Sequence, residues 1–415
     1  MSSVSSAGRV DPRVWLLALG TFATGTDLFI VAGLLPAVGR DLHLSTALAG
    51  QTSTAFAATY AVGAPILAGL TARFRRKPLL IGVMLVFGLG NLLSAVSADF
   101  TVLLISRVIT GAGAALYSAN ASAVAARISP PEVRGRALAI VYAGMTSAIA
   151  FGVPIGNWIG ELASWRWAFG LVAVLAAVTV IGIQFFLPDV PTGPGATVRE
   201  RMASIRIPQA PTHLLVTAAW TAGTFTVYTY LGSILEQVTD LTTGQQSWVL
   251  LMFGVGSFGG VFVGGRLADR FGSVVGLTLT ISALGVWLLV LTPAIRWPLA
   301  AAVAVGVWGL VHWPSFPLLL HRALGIGGDR GDMLLALNNS AVYVGQMAAA
   351  AVGGLLANAG MLRWNPLAGA GFELLAGIAL AVSVGAARRG LRRPAPAAAP
   401  AAPQAEEASS PALRG

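Results

Sequence analysis

Residues 265–272 read Gly265-Arg266-Leu267-Ala268-Asp269-Arg270-Phe271-Gly272, a charged, glycine-bounded stretch between two long apolar runs. A second stretch, Leu70-Thr71-Ala72-Arg73-Phe74-Arg75-Arg76-Lys77, also joins two apolar runs and aligns with the first when Ala72 is set against Asp269. Two more segments keep that register: Gly144, Ala148, Gly152, Gly156 and Gly160 recur at every fourth residue, and Gly345, Ala349, Gly353 and Ala357 do so in the corresponding place. Small residues at i, i+4 give a helix one smooth face that another backbone can approach closely. A chain that repeats both a loop and a helical stripe reads as two related halves, the arrangement in which one half rocks against the other around a midplane site.

The runs around these segments are too apolar for water. Of 415 residues 56% are hydrophobic and 10% charged, whereas a soluble domain carries about 25% charged residues. A spanning helix needs about 20 mainly apolar residues, and qualifying windows begin near Val14, Ala47, Leu79, Phe100, Ala137, Trp167, Leu214, Gln246, Val274, Pro298, Met333 and Leu367. The expected fold class is all-α integral membrane, with twelve transmembrane helices in two six-helix halves. The expected boundaries are an N-terminus at 1–13, halves at 14–187 and 213–387, a Pro- and Arg-bearing linker at 188–212, and a Pro/Ala/Glu-rich tail at 388–415 with too little apolar content to fold. Residues 1–13 lack the apolar core and small-residue cleavage site of a signal peptide, so the first run is expected to stay as a helix.

The formal net charge of +10 orients the chain rather than marking a nucleic-acid surface. With the N-terminus inside, the 26 basic residues fall in inside loops and tails except Arg40, Arg107, Arg166, Arg296 and Arg363. That bias places both termini in the cytoplasm. With no cysteine there is no disulfide or thiolate chemistry, and His43, His213, His312 and His321 offer no metal-ligand spacing, so no metal site is expected. Gly254-Val-Gly-Ser-Phe-Gly259 satisfies a dinucleotide fingerprint in letters alone, since it lies inside a span and reads as helix packing. No phosphate-binding Gly-x-x-x-x-Gly-Lys loop is present, so the chain is expected neither to hydrolyse a nucleotide nor to need a cofactor.

A charged side chain inside a span costs at least about 2.5–3.5 kcal/mol and is kept where it faces a cavity or a partner. Asp27, in the middle of the first span, is the acid expected to bind and release a proton, and Arg107, inside the fourth, is expected to answer an acid or polar backbone within the first half. A structural hydrogen bond for Asp27 and a structural ion pair for Arg107 are the alternatives. Glu236, Glu373 and His312 are weaker candidates for proton transfer.

These residues resemble the major facilitator superfamily, and within it the twelve-helix drug:proton antiporters. Gly265, Asp269, Arg270 and Gly272 match the family's cytoplasmic loop signature, while the first copy keeps Arg73 but has Ala72 in place of the acid. The resemblance implies that this acid latches the halves in the outward-facing state, a task left to Asp269. Gly20 to Pro36 is similar to the first helix of the arabinose-efflux and chloramphenicol-resistance branches, with Asp27 where they usually carry Glu. Arg107-Val-Ile-Thr-Gly-Ala-Gly113 resembles the family's fourth-helix motif, and Gly152-Val-Pro154-Ile-Gly156 resembles its antiporter motif, which more commonly reads Gly-Pro without the intervening residue.

The family's central cavity implies a set of lining candidates: Tyr60, Tyr117, Asn120, Tyr142, Trp220, Tyr228, Trp308, His312, Asn338, Asn339, Tyr343 and Gln346. Aromatics with sparse amides suit an amphipathic organic molecule. The expected function is proton-coupled efflux of such a molecule by a monomeric, non-enzymatic carrier in a bacterial plasma membrane. Its partners are the substrate, protons and lipid, with no nucleic acid. A sugar, nucleoside or other metabolite carrier on the same fold is the alternative.

Overall fold

The computed structural model describes residues 10–190 and 198–391. Among them, ten helices are long and apolar enough to cross a membrane. One of these, Thr243–Ala294, has 52 residues, about 78 Å at 1.5 Å per residue, too long for one crossing of a core about 30 Å thick. It breaks at Gly272, where φ is 73°, a left-handed conformation that a side chain disfavours. Another crossing is interrupted, Ala210–Tyr228 being followed by Leu231–Gln237.

The crossings are α1 (Val14–Asp41), α2 (Thr46–Leu70), α3 (Arg76–Ala95), α4 (Phe100–Ile128), α5 (Arg134–Leu162), α6 (Trp165–Phe186), α7 (Ala210–Tyr228 with Leu231–Gln237), α8 (243–271), α9 (273–294), α10 (Pro298–Gly327), α11 (Gly331–Asn358) and α12 (Asn365–Leu391). Most start a few residues before the apolar windows. Their first turns are polar, and Ser45, Asp99, Ser164 and Thr242 accept hydrogen bonds from the free N–H groups there.

The structure shifts two expected boundaries. Within the 188–212 linker, Val198–Ala203 forms a short helix, and α7 already begins at Ala210 because Pro211 suits a first helical turn. At the other end α12 continues to Leu391, past the expected tail boundary, because alanine and arginine continue a helix readily. Residues 1–9, 191–197 and 392–415, which hold the rest of the N-terminal, linker and tail assignments, lie outside the described residues.

α1 is buried almost all round, as is α7, whereas α3, α6, α9 and α12 turn large apolar side chains outward, including Leu89, Phe185, Val286 and Leu374. In water such a belt would aggregate; in lipid it is the surface the bilayer requires.

The two halves repeat their internal contacts. A Cβ built on Gly144 of α5 would run into the Ala18 carbonyl and Thr21 of α1; one on Gly345 of α11 would meet the Ala218 carbonyl and Thr221 of α7. Likewise Gly111 of α4 lies on the Phe56 carbonyl of α2, and Gly309 of α10 on the Phe253 carbonyl of α8. The glycine stripes are thus seams within each half. Between halves, α2 packs on α11, and α5 packs on α8. There α5 makes a π-helical turn, Ala148–Gly152, two residues before Pro154, which cannot donate to the Ala150 carbonyl. Gly254 of α8 rests on the backbone of Ile149 and Ala150 in that turn, which gives this glycine its packing role.

Candidate functional site

α1 and α4 bring Asp27 and Arg107 together. Arg107 Nη1 donates to Asp27 Oδ1 at 2.5 Å and Nη2 to the Asp27 carbonyl at 3.2 Å, and both side chains are 0% exposed. The guanidinium lies 4.7 Å from the centre of the Phe56 ring and 5.6 Å from that of Phe169, so aromatic faces cover what the carboxylate leaves open. Asp27 Oδ2 has no hydrogen-bond partner. Beside it stands Asn91 of α3, whose Nδ2 donates to the Phe87 carbonyl at 3.1 Å while its Oδ1 is unpartnered.

The contacts repeated between the halves pair Ala18 and Thr21 with Ala218 and Thr221, and Gly111 with Gly309. Carried along the helices, they set Asp27 against Val227 and Arg107 against Val305, both fully buried. The charge pair is therefore confined to one half of a repeated frame.

Two residues after Asp27, Phe29 enters an aromatic cluster of the second half. Its ring is 5.9 Å from Phe225, 5.8 Å from Tyr228 and 6.5 Å from Trp313. Tyr228 also meets Phe253 and Trp308, and Trp220 stacks on His312 at 4.4 Å, with the planes 9° apart. Thr224 links these rings, receiving the Trp308 indole N–H at 3.3 Å and facing His312 Nδ1 at 2.7 Å. Toward the linker end, Tyr142 meets Phe316 across the halves at 6.3 Å, and Tyr60 of α2 stacks on Tyr343 of α11 at 3.4 Å. Asn339 lies beside Tyr142.

The expected cavity residues thus divide. Tyr60, Tyr142, Trp220, Tyr228, His312, Asn339 and Tyr343 belong to this interface or the cluster behind it. Tyr117 instead lies within the first half, donating to the Leu17 carbonyl at 3.1 Å, and Asn120 is held there by Arg76 at 2.6 Å. Asn338 accepts from Thr217 at 2.6 Å within the second half, Trp308 is turned to Thr224, and Gln346 is buried in α11. Helix number alone could not separate these groups, because each helix also has a face turned into its own half. Phe29, Trp313, Phe316 and Asn91 went unselected. The first three look like ordinary apolar content, and Asn91 lies in a peripheral helix.

Other side-chain links join the halves at the end opposite the linker: Arg40 pairs with Glu236, Asn157 donates to Ser247 at 2.9 Å, and Gln237 donates to Thr46 at 3.4 Å. At the linker end Asp269 is exposed and has no ion-pair partner among the described residues, and Arg270 lies over Phe271. In the first copy Arg75 replaces the turn glycine with a negative φ and pairs with Asp189, beside a cleft lined by Arg73. Gly265 has open space around it, while Gly152 and Gly156 face Thr26 and Ile30 of α1. Glu373 of α12 reaches α7 at Gly223, fully buried, with neither carboxyl oxygen hydrogen-bonded.

Comparison with known proteins matches residues 17–325 to the Major Facilitator Superfamily. The chain is 32% identical over 384 residues to the inner membrane transport protein YdhP of Escherichia coli strain K12, covering 92% of this chain and 97% of that one. It is 31% identical over 307 residues to YtbD of Bacillus subtilis, an uncharacterized MFS-type transporter (74% and 77% covered), and 32% identical over 344 residues to a chloramphenicol resistance protein of Streptomyces lividans (81% and 86% covered).

Proposed function

The chain belongs to the major facilitator superfamily of membrane transporters, and from that premise we propose that it exports an amphipathic organic molecule in exchange for protons. The observation that carries this reading is the Asp27–Arg107 pair, buried in the span of a transporter and joined by α1 to the contact between halves. Arginine keeps its charge, so Asp27 is the member of the pair that can change state.

The basic-residue bias puts the linker end in the cytoplasm. The links at Arg40, Asn157 and Gln237 then hold the halves together on the outer side. A proton on Asp27 weakens the hold on Arg107. Removing one charge from a buried pair costs about 3–5 kcal/mol, and about 1.4 kcal/mol is tenfold in an equilibrium, so protonation is strong enough to move α1. That helix carries Phe29 against Tyr228 and lies under Gly232 of α7 at the Ala32 carbonyl, so its displacement acts on the outer side. Substrate enters from the cytoplasm past Tyr142 and Phe316 and meets the aromatic cluster. The lipid setting is a bacterial plasma membrane, in keeping with the inner membrane transport protein YdhP, with the monomer as the working unit.

The test is flux in proteoliposomes with an imposed pH gradient and a panel of amphipathic drugs. Uphill accumulation that collapses with the gradient, and that is lost in Asp27→Asn, is the expected result. Gradient-independent flux through the parent protein would overturn proton coupling.

A further inference from the structure

The first loop holds charges that the fold leaves unanswered. Arg73 and Lys77 have no ion-pair partner among the described residues, whereas Arg75 pairs with Asp189 and Arg76 holds Asn120. The start of α3 adds to the imbalance. Its first turn contains Arg76 and Lys77, no acid and no side-chain cap, although the positive end of a helix dipole disfavours cations and favours an anion.

Arg73 and Arg75 line one end of a cleft of about 760 Å3, a size within the roughly 300–1,000 Å3 of sites that hold ligands. The rest of its lining is apolar, with Pro78, Gly82 and Val86 of α3 and Ala112 and Leu116 of α4 among it. From the helix start at Arg76 to Val86 the cleft follows α3 for about 15 Å at 1.5 Å per residue, half the thickness of a hydrocarbon core of about 30 Å. It therefore spans one leaflet, with the arginines at headgroup level. It also opens outward: Phe74 and Val86 are exposed, and a Cβ on Gly82 would meet nothing within 4 Å.

The second half does not repeat this groove. Gly82 corresponds to Leu279 in the register that aligns the two loops, and Ala112 to Leu310 in the register that pairs Gly111 with Gly309. Larger side chains replace the small ones, and Asp269 stands where the first loop has Ala72. An anion with an apolar tail would find room and positive charge in the first half, and a carboxylate in the second.

We propose that the cleft between α3 and α4 is a site for an anionic phospholipid of the leaflet at the linker end, its phosphate on Arg73 and the first turn of α3 and one acyl chain laid over Gly82 and Ala112. Basic residues at the membrane surface attract anionic headgroups, and the apolar groove below accepts the chain. Asp189, the acid at the mouth, is engaged by Arg75 and does not cancel Arg73. The site lies apart from the Asp27–Arg107 pair and from the contacts between halves, so it does not depend on the transport reading.

Thermal unfolding of the delipidated full-length protein in a neutral detergent tests the proposal. Dioleoylphosphatidylglycerol added to the micelles is expected to raise the melting temperature saturably, because a ligand that binds the folded protein alone stabilises it. Dioleoylphosphatidylcholine, with the same chains and no net charge, and inorganic phosphate, with charge and no chains, should each fall short of it by about tenfold in the concentration required. Arg73→Gln is expected to raise the phosphatidylglycerol concentration for half the effect about fivefold, the worth of one basic residue at an anionic headgroup. Gly82→Leu, which fills the groove, should raise it about tenfold. Both variants should melt near the parent without lipid, since Arg73 and Gly82 are exposed. Arg136→Gln removes an exposed charge outside the cleft and should leave the lipid response unchanged. Equal stabilisation by the two lipids, full stabilisation by phosphate alone, an unchanged response in both cleft variants, or an equal loss in Arg136→Gln would overturn the proposal.

Discussion

The ring of Tyr60 lies on that of Tyr343, centroids 3.4 Å apart and planes 17° from parallel, joining α2 of one half to α11 of the other. If the halves rock, this stack must slide or open once per cycle. The chain has no cysteine, so Tyr60→Cys/Tyr343→Cys can be cross-linked without background. A short bifunctional maleimide should join the two positions and stop flux, while each single variant, labelled alone, continues to transport. A cross-linked protein that transports at the parental rate would show that the halves do not separate there.

Asp27 and Arg107 should respond unequally to mutation. Asp27→Asn leaves a buried guanidinium that cannot shed its charge, whereas Arg107→Met leaves a carboxyl that can take up a proton. Asp27→Asn is therefore expected to lower the melting temperature more, as part of a cost of about 3–5 kcal/mol for breaking a buried pair. The double variant Asp27→Asn/Arg107→Met should recover stability without recovering uphill transport, since the other half packs Val227 and Val305 at the corresponding positions with no charge at all. Equal melting temperatures for the two single variants would contradict this account.

The two seams should fail alike. Gly144→Leu and Gly345→Leu each drive a branched side chain into a backbone carbonyl of the facing helix, Ala18 in α1 or Ala218 in α7. Overpacking of this kind costs about 1–3 kcal/mol or more, and both variants should insert but lose folded yield and transport. Gly377→Ala, whose Cβ would meet nothing within 4 Å, is the control. Normal thermal stability in either leucine variant would mean that the seam is looser than its geometry.

Asp269 is exposed and has no ion-pair partner among the described residues, so Asp269→Asn should leave the melting temperature unchanged. Its effect is expected in the cycle, because Ala72 stands where the first copy would carry the equivalent acid, which leaves any such latch to Asp269. Flux within twofold of the parent would count against that role. Gly272→Ala forces a side chain into φ 73°, which costs about 1–2 kcal/mol, and should destabilise the protein where Asp269→Asn does not.

Much of the architecture was legible in the sequence because lipid is a demanding solvent. It forces apolar runs of about 20 residues and restricts charge within them. The repeated loop around Asp269 and the two small-residue stripes were readable for the same reason, since both depend on spacing along one chain. Asp27 and Arg107 could be singled out one at a time by the cost of charge in a span.

Which faces meet was decided only by the tertiary structure. A helix apolar on every side has no polar face to show how it is turned, so α1 and α7 gave no sign that the glycine stripes close on them or that Phe29 crosses into the second half. The rotation of α4 within its half sets Arg107 against Asp27 and turns Tyr117 and Asn120 inward, away from the interface their helix number suggested. The stack of Trp220 on His312 and the contact of Phe29 with Tyr228 are likewise relations between helices distant in the chain. Composition fixes how many helices the bilayer holds, but packing against neighbours fixes each helix's rotation, and with it which polar atoms find partners.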